Sequence, residues 1–317
     1  MPHRNFGYKH SRLKQLRAFC YAAQTGSVSR AAEQMFLSQP SISLLIKSLE
    51  TDLGDQLFSR NGPRIALTEQ GQILLELALP LIEGLEILPE MYSERCNHIV
   101  GGKLIIAATE SAILYILPNN IKEFRETYPG IELVINNVTG RDGLEMLRNG
   151  TADILISSLV EVPNDIIYIP TYTYDPVLIT PVNHPLTKLK EITIRDIGAY
   201  DLILPPSYLS SWRVLDLIFR QHDVSYTVAL EAGGWEVIKK YVELGLGVSI
   251  ISSLCLTGEE KLVELPLKKY FPQRTYGVIL RRGKYLSPAT RRFIEMFDDS
   301  ALAQIEDQNR STDQDAA

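Results

Sequence analysis

The sequence predicts an α/β chain in three parts: an all-α head built on a helix-turn-helix with a hairpin wing, a long linker helix, and a two-lobed α/β body. Three observations carry this. Residues 27–54 hold two short helical patterns around a tight turn. Residues 69–97 place leucines at spacings of three and four. From Lys103 onward, strand and helix patterns alternate.

In the head, Ser27 can cap the first helix, Ala31, Ala32 and Met35 give it an apolar face, and Phe36 and Leu37 fall in the turn. Ser38 caps the second helix, Pro40 sits where a missing N–H costs nothing, and Gly54 ends the segment. Ile42, Leu45, Ile46 and Leu49 face inward by their spacing, which leaves Gln39, Ser41, Ser43, Leu44, Lys47 and Ser48 outward. A helix laid into the major groove of DNA needs small or amide-bearing side chains near its N-terminus, because base edges are read there and bulk holds the helix off. Helix pairs packed by Ala and Leu also occur in ordinary bundles, so this segment alone leaves both readings open.

Leu57 to Ile65 follow as a short hairpin with an Asn-Gly-Pro turn, the shape of a wing, in which Arg60 and Arg64 can reach phosphates or the minor groove. Charge is split along the chain. Residues 1–65 hold nine Lys and Arg against four Asp and Glu, while the remaining 252 hold 23 against 34. A basic head on an acidic body is what a nucleic-acid-binding module joined to a different kind of domain produces.

Residues 69–97, with Leu74, Leu77, Leu81, Leu85, Leu88 and Met91, predict one amphipathic helix, and a partner helix from a second copy suits its stripe. Pro80 and Pro89 predict a kink or an early end. No run of about 18 apolar residues suggests a membrane span and no apolar signal segment is visible, so the cytoplasm is the expected compartment. Cys20, Cys96 and Cys255 form neither a disulfide framework nor a metal spacing, and no cofactor is expected.

In the body, strand KLIIAAT, a helix from Ile121 to Tyr128, strand IELVINNV, a helix from Arg141 to Arg148 and strand ADILISS make one βαβαβ unit. A second unit runs through DLILPP, Ser211 to Gln221, YTVALEA, Trp235 to Leu244 and GVSIISS. Strand TYGVILRR returns to the first unit, and Pro288 to Phe297 form a last helix. Two such lobes joined by crossing strands enclose a cleft, as in periplasmic solute-binding proteins, with ligands at the strand carboxyl ends. Thr109, Glu110 and Ser111 end the first strand and open a helix, Thr139 ends the next strand, and Ser207, Ser210 and Ser211 sit at the matching place in the second lobe. These hydroxyls, with helix amides, suit a small oxyanion or carboxylate; each singly can equally be a helix cap.

At Leu16, Phe19, Gly26, Ser27, Ala31, Ala32, Leu37, Ser38, Gln39, Pro40, Ser43, Ile46, Leu49, Glu50, Leu53, Gly54, Leu57, Phe58, Arg60, Leu67, Thr68 and Gly71 the chain resembles the LysR-type transcriptional regulators, over nearly its whole length. The resemblance implies that Gln39, Pro40 and Ser43 touch bases and that Ser38, Arg30, Arg60 and Arg64 hold the backbone, with Ser41 and Lys47 on the same outward face. It also implies a linker helix that pairs heads into a homodimer or homotetramer on an interrupted palindrome near promoters, with RNA polymerase a partner if the protein activates. Position 44, often arginine in the family, is Leu44, which can meet a thymine methyl but not a phosphate.

VIKKYVELGLGVSII and IPTYTYDPVLITPVNHPL look like the family branch that contains activators of sulfur assimilation and the cysteine regulon. That branch reads Thr-x-Thr-Gln where this chain has Thr109, Ser111 and Ala112; Thr139 and Ser210 match its other two hydroxyl positions. The implied effector is a small anion, sulfur-containing or a carboxylate, with Glu110 disfavouring high charge. The rival is a two-lobed α/β enzyme acting on a small anionic metabolite. No G-x-S-x-G, P-loop or H-E-x-x-H is present, and His3, His10, His98, His184 and His222 lack ligand spacing, so an enzyme is not expected. A transported-solute binder would need a signal peptide. The expected boundaries are 10–68 for the head, 69–98 for the linker, and 103–300 for the body, with lobe I about 103–173 and 275–300 and lobe II about 174–274. Residues 301–317 are polar and are expected to be disordered.

Overall fold

The computed structural model describes residues 12–61, 64–96 and 101–315. The head packs α1 (Arg12–Thr25), α2 (Val28–Gln34) and α3 (Gln39–Leu53) around Ala18, Ala22, Ala31, Ala32, Ile42 and Ile46. Small residues on α1 and α2 let these short helices approach closely. The Ser27 and Ser38 hydroxyls accept from the Arg30 and Ser41 amides, satisfying first-turn donors. Gly54 closes α3 in the left-handed conformation, φ 85°. Strands β1 (Phe58–Asn61) and β2 (Arg64–Leu67) pair antiparallel as the wing. The Gly62-Pro63 turn and the side chains of Arg60, Asn61 and Arg64 lie outside the described residues.

The linker is two helices, α4 (Glu69–Glu86) and α5 (Leu88–Arg95). Pro80 is accommodated inside α4, whereas Pro89 starts α5, where its missing amide proton is harmless. One face of α4, with Leu75, Ala78, Leu79 and Ile82, is buried with Phe19, Leu49 and Leu57 of the head. The opposite stripe, Leu77, Leu81, Leu85 and Leu88, stands exposed, Leu77 by 67%.

The linker is also held to the body. Glu83 pairs with Arg281, and both are largely buried; Lys284, itself bound to Asp153 at 3.2 Å, lies 3.9 Å from Glu83. Arg292 reaches Glu94 at 3.1 Å.

Lobe I begins with β3 (Gly102–Ala108), a π-helical turn at Ala112–Ile116, α6 (Leu117–Thr127), β4 (Ile131–Asn137), α7 (Gly140–Arg148), β5 (Ile154–Ser157) and β6 (Ile166–Tyr174). The chain crosses to lobe II with β7 (Pro176–Pro181), α8 (Ile194–Gly198), β8 (Asp201–Leu204), α9 (Ser210–Gln221), β9 (Thr227–Glu231), α10 (Trp235–Glu243), β10 (Ser249–Ser252) and β11 (Leu262–Pro266). It returns through β12 (Arg274–Arg281), followed by α11 (Pro288–Phe297) and α12 (Ala301–Asp315). Lobe I is a five-stranded sheet, β4-β3-β5-β12-β6, with β3 parallel to β4 and β5 and β12 antiparallel to both its neighbours. Lobe II joins an antiparallel β10-β7-β11 sheet to a parallel β8-β9 pair. In the first βαβαβ unit β3 and β5 are buried over most of their length inside the sheet, whereas β4, at the sheet edge, is largely half-buried or exposed.

One expectation fails. Residues 301–315 are helical, and Ala301 and Ile305 are buried against lobe I. A polar segment whose apolar residues cluster at 301, 302, 303 and 305 carries too little signal in composition, yet Ala301 and Ile305 suffice to dock a helix on a formed core.

The DNA-reading head and the interlobe cleft

The outward face of α3 stands as its spacing dictates. Arg30, Ser38, Gln39, Pro40 and Lys47 are exposed, while Ser41 and Ser43 are half-buried. The Ser38 and Ser41 hydroxyls lie 2.8 Å apart at the helix entrance, so the first turn offers hydroxyls, an amide side chain and a positive dipole end to one approaching surface. Leu44 is 69% exposed and contributes nothing to the head core. Ser48 is the exception to a free outward face, since its Oγ accepts from the buried Gln15 at 2.8 Å. Phe36, in the turn before α3, is 95% exposed in the left-handed region, φ 53°. A bulky residue rarely adopts that conformation, and the sequence reading placed Phe36 only in the turn.

In the body, the predicted effector residues are not all gathered at one place. A cavity of about 240 Å³ lies between the lobes, lined by Ser158 of lobe I, Ser210, Ser211, Trp235, Ile250, Ser252 and Phe271 of lobe II, and Arg274 and Tyr276 of the returning strand. Ser210 and Ser211 are thus on its wall. Ser111 is one step removed, its Oγ 3.1 Å from the Tyr276 hydroxyl. Thr109, Glu110, Thr139 and Ser207 are not among the lining residues. Thr139 caps α7, accepting from the Asp142 amide at 3.2 Å and donating to its carboxylate at 2.8 Å. Ser207 is exposed in the turn before α9. The Thr109 Oγ1 is buried without a hydrogen-bond partner among the described residues.

Glu110 does something else. It reaches across the cleft to the amide of Trp235 at the start of α10. Gly234 makes room for it: a Cβ there would stand 2.9 Å from the Glu110 Oε1, and the backbone is left-handed, φ 88°. Burial and then the Glu236 carboxylate hold the Glu110 carboxyl above its usual range, with the Trp235 amide opposing. Beside it, the Tyr115 hydroxyl of the π-helical turn donates to Glu236 of lobe II. Lys239, 3% exposed, ties this corner together. Its ammonium donates to Glu260 at 2.6 Å and to the Cys255 carbonyl at 2.7 Å, lies 2.8 Å from Glu236, and sits 5.4 Å from the Tyr115 ring centre. Burial works against the Glu260 carboxylate, but the bonds from Lys239 and the Thr257 amide prevail and draw its pKa down to about 2. Burial pushes the Cys20 and Cys255 thiols up to about 12, which disfavours the nucleophilic thiolate in both.

Arg274 is a charged cavity residue that sequence reasoning missed. It lies at the crossing point between the lobes, and its guanidinium donates to the Ser158 Oγ of lobe I at 2.8 and 3.2 Å and to the Ser210 Oγ of lobe II at 3.4 Å. Among the described residues no carboxylate pairs with it. The available signal was the charge itself: an arginine at the start of the returning strand, where the chain crosses between the lobes.

A helix-turn-helix with a wing, a long helix exposing a leucine stripe, and a two-lobed body around a polar-lipped cavity together define a ligand-responsive DNA-binding transcriptional regulator. Residues 13–72 match the bacterial regulatory helix-turn-helix protein, lysR family, and residues 99–301 match the LysR substrate binding domain, so the chain belongs to the LysR family. It is 30% identical to the transcriptional regulator CysB of Burkholderia cenocepacia over 280 residues, covering 86% of this chain and 88% of that one. It is 31% identical to a probable RuBisCO transcriptional regulator of Nostoc over 297 residues, covering 89% and 86%. The fold matches that of a full-length OxyR variant from Pseudomonas aeruginosa with a TM-score of 0.73 at 24% identity, over 92% of this chain and 97% of that one. Membership of this family makes the chain a regulator and not an enzyme. Among the described residues, no helix is long and apolar enough to cross a membrane.

Proposed function

We propose that the protein regulates transcription in the cytoplasm by placing paired α3 helices in successive major grooves of an interrupted palindrome near a promoter. A small anion in the interlobe cleft then changes the angle of the heads and the bend of the DNA. Gln39, Pro40 and Ser43 read bases in this scheme, Ser41 and Lys47 lie on the same contact face, and Arg30, Ser38, Arg60 and Arg64 hold phosphates. The exposed stripe Leu77, Leu81, Leu85 and Leu88 pairs heads between copies in a dimer or a tetramer of the chain.

The observation that carries the effector half is Arg274, a cation that bridges the lobes through Ser158 and Ser210 and has no carboxylate partner among the described residues. An anion there gains from both lobes at once and favours closure. Of the residues expected from the sequence, Ser210 and Ser211 are first in contact; Thr109, Glu110, Ser111, Thr139 and Ser207 complete the proposed set without lining the cavity. Similarity to CysB and to SsuR of Burkholderia cenocepacia supports a role in sulfur metabolism, and an activating role would bring RNA polymerase in as a partner.

The test is selection of genomic fragments by the purified protein, with and without sulfate, thiosulfate, O-acetylserine and simple carboxylates. Enrichment of an interrupted palindrome whose retention one anion alters supports the whole scheme. Absence of sequence enrichment at moderate salt overturns the operator reading.

A further inference from the structure

We infer that the effector is a singly charged organic carboxylate with a branched or aromatic body, bound through Arg274, and not an inorganic sulfur oxyanion. This rests on the reading of the interlobe cavity as the effector site. Its walls are mostly apolar, with Val214, Leu215, Trp235, Ile250 and Phe271 among the lining residues. A sulfate-sized ion would leave that volume of about 240 Å³ largely empty and the apolar walls wet. An apolar body fills it and removes those walls from water.

The polar groups suit one charge. Arg274 supplies a single guanidinium, whose fork matches a carboxylate. The Ser252 hydroxyl, on a residue 6% exposed, lines the cavity and has no hydrogen-bond partner among the described residues. A buried hydroxyl left unpaired is costly, and a ligand oxygen satisfies it. The N-terminal amides of α9 behind Ser210 and Ser211 carry no side-chain cap and are available to the same ligand.

The experiment is calorimetric titration of the full chain with phenylacetate, 4-methylpentanoate, the corresponding neutral amides, sulfate and thiosulfate. We expect both acids to bind, each amide to bind at least about tenfold more weakly, and sulfate and thiosulfate to give no heat. Arg274→Gln should bring acid and amide to within about threefold of each other, while Arg274→Lys keeps the preference for the acid. Thermal melting and retention on DNA verify that each variant is folded. Sulfate binding more tightly than either acid, failure of both acids to bind, or an acid preference that survives Arg274→Gln overturns the inference. The two levels separate cleanly. An acid that binds but leaves DNA retention unchanged sinks the allosteric reading alone; sulfate that binds and changes retention sinks the ligand class alone.

Discussion

The head and the cleft solve opposite problems with the same small polar residues. On the head, Ser38, Gln39, Ser41 and Ser43 sit within six consecutive positions of one helix entrance, exposed or half-buried, and wait for a partner that arrives from solution. In the cleft, Ser158, Ser210, Ser252 and Arg274 come from four separate elements and meet only because two sheets fold against one another. The head therefore works as a rigid unit, whose reading surface is set by local helix geometry. The cleft has a reading surface that exists only at one relation of the lobes. Its far corner is already tied across by Glu110 to Trp235 and Tyr115 to Glu236, while the Arg274 side is bridged only through serine hydroxyls. Sensing belongs where closure is incomplete, and positional precision belongs where nothing needs to move.

Glycine substitutions break this comparison most sharply. A Cβ on Gly71 would stand 2.1 Å from the Leu57 carbonyl oxygen, and one on Gly277 would stand 1.9 Å from that of Ile169. Neither neighbour is a flexible side chain, so Gly71→Ala should wreck the junction of wing and linker and Gly277→Ala the bulged pairing of β12 with β6, each by more than about 3 kcal/mol. Gly71→Ala should abolish DNA retention and spare anion binding measured by calorimetry. Gly277→Ala should do the reverse if the head folds independently; simultaneous loss of both functions in both variants would show that the Glu83–Arg281 contact makes one cooperative unit.

The next effect sharpens the contrast within the cleft. Glu260 is held charged in the folded state down to about pH 2, against an ordinary value of 4.5, by Lys239 and the Thr257 amide. A depressed carboxylate stabilises the fold fully above pH 4.5 and progressively less as pH falls toward 2. This amounts to roughly 3 kcal/mol at neutral pH. Glu260→Gln should therefore melt well below the wild type at pH 7, with the gap closing between pH 4.5 and 2; a gap independent of pH would mean that packing, not the charge, is what Glu260 contributes.

The same contrast explains what was legible in the sequence. The head was readable because capping serines, apolar spacing and the outward residues all lie within one stretch of chain. The α/β order was readable because apolar strands and amphipathic helices repeat locally. The break at Pro89 followed from proline chemistry, although Pro80 gave the same local signal and is tolerated inside α4. The cleft was only half readable. Strand ends were found, but which of their hydroxyls face the cavity depends on register and lobe rotation, so Ser210 and Ser211 were named while Ser158, Ser252 and Arg274 were passed over. Thr109 and Thr139 carry the pattern of a binding residue, yet Thr139 is engaged in capping α7.

Smaller effects test the head. Gln39→Ala should lower discrimination at one base position by about 1–3 kcal/mol while leaving dimerisation unchanged. Arg60→Ala should weaken binding to all duplexes about equally and reduce the salt slope by about 1. Equal losses of specificity from both would mean that the wing reads sequence as well as charge.

The smallest expected effect falls on Thr109, where head and cleft logic meet. Its hydroxyl is buried and unpartnered among the described residues, while its amide is fixed to the Ile156 carbonyl at 3.2 Å. Replacement by valine keeps the shape and removes a polar atom that gains nothing in the unliganded fold, so Thr109→Val should raise the melting temperature slightly, by the equivalent of about 1 kcal/mol or less. If a bound anion supplies the missing partner, the same variant should gain less stability than the wild type on adding that anion, in parallel melts with and without it. If the hydroxyl is instead a plain defect of packing at the strand end, the two melting curves shift together on ligand addition, and Thr109 leaves the effector set while Arg274 stays in it.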